Sequence, residues 1–441
     1  MQDYFYELAD FGEALLKAPE VLLLGFSGEE SSFVRFNRSA VRQAGAVEQR
    51  QLALHLIGDG RRVSTHLTAS GDAALDRERI RTALDDARER LSVVPEDPYL
   101  HYATEVHSTE SVRPNRLPEN EGQVVDAIVK AGEERDLVGI YMAGGIHRGF
   151  ANSLGQRNWF STYSHHFDWS FHLDGDKAVK CAYAGFVWNP AEFEEKMARA
   201  KAELEALRRP PRTLKPGRYR VYLAPQALEE VVGLLRWGGF GLSARRTRRT
   251  PLLRMVTDAA ALDPSVRMVE DTRGGLSAGF DDAGFLKPDQ VTLIEGGRLG
   301  DALVSARAAK EYGVPANGAS RRESPESLAV AGGTIPRQDV LATLGTGIFI
   351  NNLWYLNYSD RDACRMTGMT RFAAFWVENG ELRAPVNVMR FDETLYRMLG
   401  DNLVGLTREV ELLPDANSYG GRSTRSLSLP GAVVDDFALT L

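Results

Sequence analysis

Cysteine is scarce in this sequence: only Cys181 and Cys364 occur among its 441 residues. A secreted protein of this size would often carry more cysteines at paired spacings, so a disulfide framework is excluded. The first residues lack the basic and apolar stretches of a signal peptide. No run of about 18 apolar residues occurs, so no membrane-spanning helix is predicted. These absences predict a cytoplasmic protein without a membrane segment.

Histidine is missing from the entire second half of the chain. The eight histidines are His55, His66, His101, His107, His147, His165, His166 and His172. A catalytic zinc site most often includes at least one histidine. Neither a His-Glu-x-x-His nor a His-Glu-x-x-x-His sequence occurs, and Cys-x-x-Cys, the nucleophile elbow and the phosphate-binding P-loop are also absent. A Ser-His-Asp triad is possible only between the two halves of the chain.

The clustered histidines, His147, His165, His166 and His172, invite a comparison with a metal site. They lie among aromatic residues in a segment that predicts strands, and adjacent strand residues point to opposite faces. His165 and His166 therefore cannot easily share one ion, and core or surface histidines are the favoured interpretation. Cys364 has no histidine near it in the sequence and is typical of a small buried residue rather than a nucleophile.

Positive charge is in deficit, with 53 Lys and Arg against 60 Asp and Glu and a net charge of −7. This balance argues against a surface for nucleic acid, which needs clustered Lys and Arg. One basic block stands out, comprising Arg245, Arg246, Arg248 and Arg249 around Thr247. So short a block in an acidic protein favours a solvated loop, or a contact for peptide carboxylates or for the acidic face of a partner.

The chain is long enough for two domains. Residues 1–208 predict an α/β domain with a meander of strands, including a hairpin that turns at residues 58–60. Helices are predicted after Asp72, which can cap one, and over residues 122–134 and 191–208. Residues 209–217 contain Pro210-Pro211 and Pro216-Gly217, and this composition predicts the linker.

Residues 218–441 differ in character from the first part. A strand over residues 218–223 and a helix over residues 228–237 are followed by short apolar runs, which Gly, Asp and Pro separate. Many short strands at even turn spacing predict a β-rich, barrel-like domain. The whole chain is therefore expected to be an α+β protein.

A family resemblance appears in the last third of the chain. Residues 352–360 and 367–372 lead into Trp376-Val377-Glu378-Asn379-Gly380-Glu381 and then Pro385-Val386. This progression resembles the closing domain of TldD/PmbA proteins, also called modulators of DNA gyrase. Residues 152–155, 216–223 and 280–284 fit the same family in order. The resemblance implies an α/β domain, a β-rich domain and a cytoplasmic peptidase built from two related subunits.

The resemblance also implies where a zinc site would stand. TldD-type subunits carry His-Glu-x-x-x-His on the helix after the first strand of the second domain, and a distal cysteine, whereas PmbA-type (TldE) subunits lack these ligands. The matching positions here are Leu235, Arg236, Phe240 and Tyr419. Leucine and phenylalanine cannot bind zinc, a guanidinium cannot act as a general base, and a phenol is a poor ligand at neutral pH.

The chain is therefore predicted to be a PmbA/TldE-like subunit with no catalytic residue and no zinc of its own. Its partner would be a TldD-like homologue that holds the zinc, its substrate a peptide, and alone it would pair with itself as a homodimer. Two alternatives stay open: a stand-alone hydrolase or biosynthetic enzyme of non-zinc chemistry on the same scaffold, or a non-enzymatic binding or scaffold protein.

Overall fold

The first part of the chain forms a seven-stranded sheet with the order β3-β2-β1-β5-β6-β4, and β7 also pairs with β6. The structure is a computed structural model that describes residues 1–175 and 177–441. The strands are β1 (Val21–Asn37), β2 (Ala40–Gly58), β3 (Arg61–Ala69), β4 (Thr109–Val112), β5 (Asp136–Asn152), β6 (Arg157–Asp174) and β7 (Lys177–Gly185). Neighbouring strands are antiparallel except β4, which is parallel to β6.

The strand meander is confirmed, with longer strands than the sequence pattern predicts. The β2–β3 hairpin turns at Asp59 and Gly60, which both adopt positive φ as its turn residues should. β1, in contrast, runs unbroken through Ser27-Gly28-Glu29-Glu30, where the apolar pattern is interrupted. It pairs with β2 on one side and β5 on the other, and this double ladder holds polar residues in the strand.

Within the described residues of the first part, four helices pack on the sheet and bury two separate apolar clusters. They are α1 (Gln2–Ala14), α2 (Ala73–Leu91), α3 (Glu121–Gly132) and α4 (Pro190–Leu207). The side chain of Asp72 accepts hydrogen bonds from the backbone N–H groups of Ala74 and Leu75, as its capping role requires. α1 and α2 pack together on one apolar cluster of the sheet, and α3 and α4 share a second cluster.

The second part of the chain contains two sheets. The nine-stranded sheet has the order β14-β15-β18-β22-β8-β13-β16-β17, with β19 beside β22. The six-stranded sheet has the order β11-β10-β9-β12-β21-β20. The strands are β8 (Gly217–Leu223), β9 (Met268–Asp271), β10 (Gln290–Glu295), β11 (Arg298–Leu299), β12 (Ser327–Val330), β13 (Gly347–Ile350), β14 (Leu353–Asp360), β15 (Arg365–Thr370), β16 (Ala374–Glu378), β17 (Glu381–Pro385), β18 (Met389–Thr394), β19 (Leu403–Leu406), β20 (Glu411–Pro414), β21 (Ser426–Leu429) and β22 (Ala432–Leu439).

The helices of this part are short. They are α5 (Pro225–Leu234), α6 (Leu242–Arg246), α7 (Leu253–Thr257), α8 (Ala306–Tyr312) and α9 (Val340–Leu344), with a 3₁₀ turn (Arg337–Asp339) and a π turn (Arg397–Asp401). α5 and both sheets share one large core. The α+β class and the strand-rich, half-barrel second part are confirmed. Across the described ranges, no helix is long and apolar enough to cross a membrane.

The predicted linker, residues 209–217, lies along β17. The N–H of Arg212 donates to the carbonyl oxygen of Pro385 at 2.7 Å, and the guanidinium of Arg212 lies 4.3 Å from the ring centre of Trp376. Phe375 of β16 is buried in the core cluster that α3 and α4 share. The division of the chain into domains at this segment stays a prediction.

A return loop joins β20 to β21 and crosses from the second part of the chain to the first sheet. We define the return loop as residues 415–425. The side chain of Gln49 donates to the carbonyl oxygen of Gly420 at 3.0 Å, and the N–H of Arg422 donates to a carboxylate oxygen of Glu29 at 3.0 Å. The loop is therefore bound to β1 and β2 at its middle.

The guanidinium of Arg422 makes four hydrogen bonds from the return loop to the first sheet. Its Nη1 donates to the carbonyl oxygen of Gly144 at 3.2 Å and to the hydroxyl of Ser31 at 3.3 Å. Its Nη2 donates to the carbonyl oxygen of Ser164 at 3.0 Å and to its hydroxyl at 2.7 Å. Four bonds from one charged group therefore join the loop to strands β1, β5 and β6.

Replacement of Arg422 with alanine should separate the return loop from the first sheet. We expect Arg422→Ala to lower the free energy of unfolding by about 3 kcal/mol, because hydrogen bonds to a charged group are lost and the acceptors stay behind. Urea unfolding measures this change. Arg408→Ala, at an exposed arginine, is the control, and an equal effect of the two changes would contradict the prediction.

Candidate functional site

A cleft of about 600 Å³ opens beside the C-terminal end of α5. One wall is α5 with the turn that follows it, and the facing wall includes both ends of the return loop. The lining residues are Glu229, Glu230, Gly233, Leu234, Arg236, Trp237, Gly238, Arg322, Ser324, Leu356, Asp415, Arg425 and Leu427. Charged side chains of both signs thus meet in one concave surface, which makes the cleft a candidate binding site.

The end of α5 determines which side chains enter the cleft. The predicted helix over residues 228–237 is wrong at both ends, since α5 is Pro225–Leu234. Pro225 suits the first helical position, and Gly238, with a φ of +82°, adopts a conformation that stops the helix. The hydroxyl of Tyr358 donates to the carbonyl oxygen of Leu234, and that of Ser324 to the carbonyl oxygen of Arg236, both at 2.9 Å.

The structure brings only one of the four matched zinc-site positions into the cleft. Arg236 lines it, whereas Leu235 and Phe240 are fully buried in the hydrophobic core. Tyr419 lies on the return loop with its side chain fully exposed. Because residues 235–240 form a turn instead of a helix, helical spacing does not place their side chains on one face.

The guanidinium of Arg236 is half-buried and makes no hydrogen bond with any residue that the structure describes. Its Nη2 is closed off from solvent and has no partner. Burial lowers the pKa of Arg236, and the nearby charge of Arg425 lowers it further, while Asp415 acts in the opposite direction. A planar group with five N–H donors thus lines the cleft, and its Nη2 is without a partner among the described residues.

Glu229 is the carboxyl group whose acidity is most changed in this cleft. Burial raises its pKa to about 8, and the neighbouring charge of Glu230 adds to the effect. Lys180 opposes the rise and Asp168 contributes to it. At neutral pH this carboxyl is therefore largely protonated and can donate a hydrogen bond.

The lining residues do not fit a zinc ion. They include no histidine and no cysteine, and three guanidinium groups, those of Arg236, Arg322 and Arg425, stand among the carboxylates. Within residues 1–175 and 177–441, no three His, Cys, Asp or Glu side chains are placed to hold a metal together. A dication beside three permanent positive charges would be repelled.

In the basic block, one arginine is hydrogen-bonded within the chain and the other three are exposed. Arg245 donates to the carbonyl oxygens of Gly300 at 2.9 Å and Asp301 at 2.7 Å, so its guanidinium is engaged within the chain. Arg246, Arg248 and Arg249 are exposed and lie outside the cleft lining. Their role in contacting a peptide or a partner stays a prediction.

Of the four clustered histidines, three are buried and one is exposed. His165 and His166 are buried, and burial lowers their pKa values to about 4 and about 3. His147 is buried with its Nδ1 2.8 Å from the hydroxyl of Ser161, and His172 is exposed. Cys364 is fully buried, as expected, and burial raises the pKa of its thiol to about 12.

Sequence reasoning missed most of the cleft. Glu229, Glu230, Arg322, Asp415 and Arg425 come from three separate segments, none of which forms a known motif. One indication was available: the position matched to the distal cysteine, Tyr419, lies in the loop between Asp415 and Arg425. Pairing of β20 with β21 then brings both loop ends to the cleft, since Pro414 opposes Ser426.

Comparison with known proteins identifies the family of the second part of the chain. Residues 216–440, more than half of the chain, match the family described as the PmbA/TldA metallopeptidase C-terminal domain. Among curated proteins, no relative matches the sequence.

Three solved structures share the fold over the entire chain. TldE from Thermococcus kodakarensis has a TM-score of 0.78 at 16% identity, covering 99% of this chain and 100% of that one. A modulator of DNA gyrase from Thermotoga maritima has a TM-score of 0.77 at 17% identity, with coverages of 99% and 100%. Another from Bacteroides thetaiotaomicron has a TM-score of 0.74 at 15% identity, with coverages of 99% and 98%. Identities this low show the fold alone.

The raised pKa of Glu229 predicts a pH-dependent contribution to stability. Its carboxyl binds a proton up to about pH 8 in the folded chain, against an ordinary pKa of 4.5. Its contribution is therefore complete below pH 4.5 and declines as the pH rises to 8. Glu229→Gln removes this decline, so the stability of the variant relative to the original chain should increase between pH 5 and pH 8.

Urea unfolding at pH 5, 6.5 and 8 tests this dependence. Glu194→Gln, at an exposed carboxyl of α4, is the control and should differ from the original chain by the same amount at each pH. A constant difference for Glu229→Gln as well would show that Glu229 ionises normally.

Proposed function

Since the chain belongs to the PmbA/TldD family of metallopeptidase-related proteins, we propose that it is the zinc-free, TldE-like subunit of a cytoplasmic peptidase complex. In this role it binds peptides or unfolded segments and presents them to a TldD-like homologue that holds the zinc. The observation that supports the proposal is the guanidinium of Arg236 in the cleft, at the position that the family resemblance matches to the glutamate of the zinc-binding motif.

Three features of the described residues support a subunit without its own metal chemistry. Leu235 and Phe240 are core residues, so their replacement with histidine would place polar rings in an apolar cluster. Arg236 supplies a permanent positive charge that cannot accept a proton from water. Tyr419 lies on the exposed surface of the return loop, where its phenol faces solvent.

The shape of the cleft supports a peptide as the ligand. β14 is the last strand of the nine-stranded sheet, and Leu356 of this strand lines the cleft. An extended peptide can add to such an edge as a further strand, with main-chain hydrogen bonds for affinity. The side chains of Trp354 and Tyr355, 42% and 78% exposed on the same strand, offer apolar contacts.

A second candidate, a stand-alone hydrolase of non-zinc chemistry, is favoured by one observation. Glu229 has a pKa near 8 and lies in the same cleft as Arg236. A carboxyl with a pKa raised to about 8 is largely protonated at neutral pH, which suits a general acid. Peptide hydrolysis by the isolated chain, insensitive to chelators and abolished by Glu229→Gln, would support this candidate over the subunit role.

The subunit role predicts dependence on a partner. Purified without added metal, the chain should contain far less than one zinc per molecule and should not hydrolyse peptides. Mixed with a His-Glu-x-x-x-His homologue from the same genome, it should co-purify with it, and a chelator-sensitive peptidase activity should appear. Elemental analysis, size-exclusion chromatography and a peptidase assay test these outcomes. One zinc per chain, with chelator-sensitive activity and no partner present, would overturn the proposal.

Self-association is expected when the partner is missing. The surface that pairs with a related subunit can be reused by a second copy of the chain, which gives a symmetric homodimer. Light scattering should therefore report twice the chain mass of 48.7 kDa. A monomer at high concentration, with and without the candidate partner, would contradict this expectation.

A further inference from the structure

We propose that the cleft is a carboxylate-binding site, in which Arg236 binds a carboxylate of the peptide and Arg425 and Arg322 stand beside it. This inference deepens the proposed function, on which it rests, by naming the chemical group that the cleft recognises. Fork-shaped guanidinium groups match the two oxygens of a carboxylate in geometry and charge.

The first observation is the state of the Arg236 side chain. The guanidinium is half-buried, its Nη2 has no access to solvent, and no described residue accepts a hydrogen bond from it. A buried donor without an acceptor lowers stability, and native proteins avoid this arrangement. Arg236 lines the cleft, so a ligand there that supplies two acceptor oxygens would satisfy the group once a shift of the half-buried side chain exposes Nη2.

The second observation is the balance of charge around Arg236. Arg322 and Arg425 are exposed, and neither forms an ion pair with the residues that the structure describes. Asp415 accepts a hydrogen bond from the N–H of Asn417 at 3.1 Å within the return loop. Glu229, protonated at neutral pH, does not offset the arginines. Three guanidinium groups thus lie in the same cleft as the carboxyl groups of Glu230 and Asp415, and two of the three, Arg322 and Arg425, are exposed without an ion pair among the described residues.

The third observation is the apolar surface next to the arginines. Trp237 is 60% exposed at the cleft, and Leu356 and Leu427 also line it. An apolar side chain adjacent to the bound carboxylate would cover this surface. The carboxylate itself has two sources in a peptide: the C-terminal α-carboxylate, or the side chain of an aspartate or glutamate.

Three short peptides distinguish these sources. The probes are acetyl-Ala-Ala-Ala-Ala-Leu with a free carboxylate, the same peptide as its C-terminal amide, and the amide with aspartate at its third position. Binding to the isolated chain is followed by calorimetry and by tryptophan fluorescence, to which Trp237 contributes. We expect at least one carboxylate peptide to bind about tenfold more tightly than the plain amide. Tighter binding of the free acid identifies the C-terminus, and tighter binding of the aspartate amide identifies an acidic side chain.

Two variants and a control test whether the difference in affinity between the acid and the amide peptides depends on the cleft. Arg236→Gln should abolish the difference between acid and amide, and should leave the midpoint of thermal unfolding unchanged or raise it, because an unpaired buried guanidinium is removed. Arg425→Gln, at an exposed position, should reduce the difference in part, and it tests the inference if Arg236→Gln does not fold. Arg298→Gln, at an exposed arginine of β11, should change neither quantity.

Equal affinity for all three peptides, or no binding of any of them, would overturn the inference, whatever complex the chain forms. A lower unfolding midpoint of Arg236→Gln with unchanged discrimination would also overturn it, since Arg236 would then be structural. Peptidase activity of the isolated chain with its own zinc would instead overturn the proposed function, and carboxylate binding would be measured independently of it.

Discussion

The partly buried guanidinium of Arg422 joins the first sheet to the return loop, whose two ends line the cleft. It is withdrawn from water, which lowers its pKa, and the nearby carboxylate of Glu29 offsets part of this effect. Its four hydrogen bonds end on oxygens of Ser31, Gly144 and Ser164 in the first sheet. A charged group removed from water is stable only while such acceptors are present, so the loop holds its position only when both parts of the chain are packed together.

Packing within the chain changes the pKa values of two groups in the cleft, Glu229 and Arg236. Glu229 on α5 is influenced by Asp168 and Lys180, which belong to β6 and β7 of the first sheet. Arg236 is influenced by Asp415 and Arg425 at the two ends of the return loop. The first sheet therefore acts on Glu229, whereas the charged groups that act on Arg236 all lie in the second part of the chain. Tertiary packing therefore determines the shape of the cleft, and burial in the packed chain is also the main cause of the shifted pKa values of Glu229 and Arg236.

Local patterns in the sequence predicted the elements whose stability is local. The Asp72 cap and the Asp59-Gly60 turn depend on residues within a few positions of one another, and both are found. The end of α5 was mispredicted, because hydrogen bonds from Tyr358 and Ser324 stabilise the turn after it, and these residues lie about a hundred positions away. Likewise no pattern brings Glu229 to Arg425: the site could not be predicted without the pairing of β20 with β21.

If Arg236 occupies the position of the motif glutamate, as proposed, the guanidinium and a zinc ion can be compared as groups that act on the same substrate. A zinc ion and a guanidinium both present positive charge to an oxygen, and both can hold a carboxylate. Zinc also has an open coordination position, at which it lowers the pKa of water towards neutrality. A guanidinium has only N–H donors and no such position. In the proposed role, Arg236 would therefore bind a peptide without activating water, and a second subunit would have to bring the metal to the same substrate.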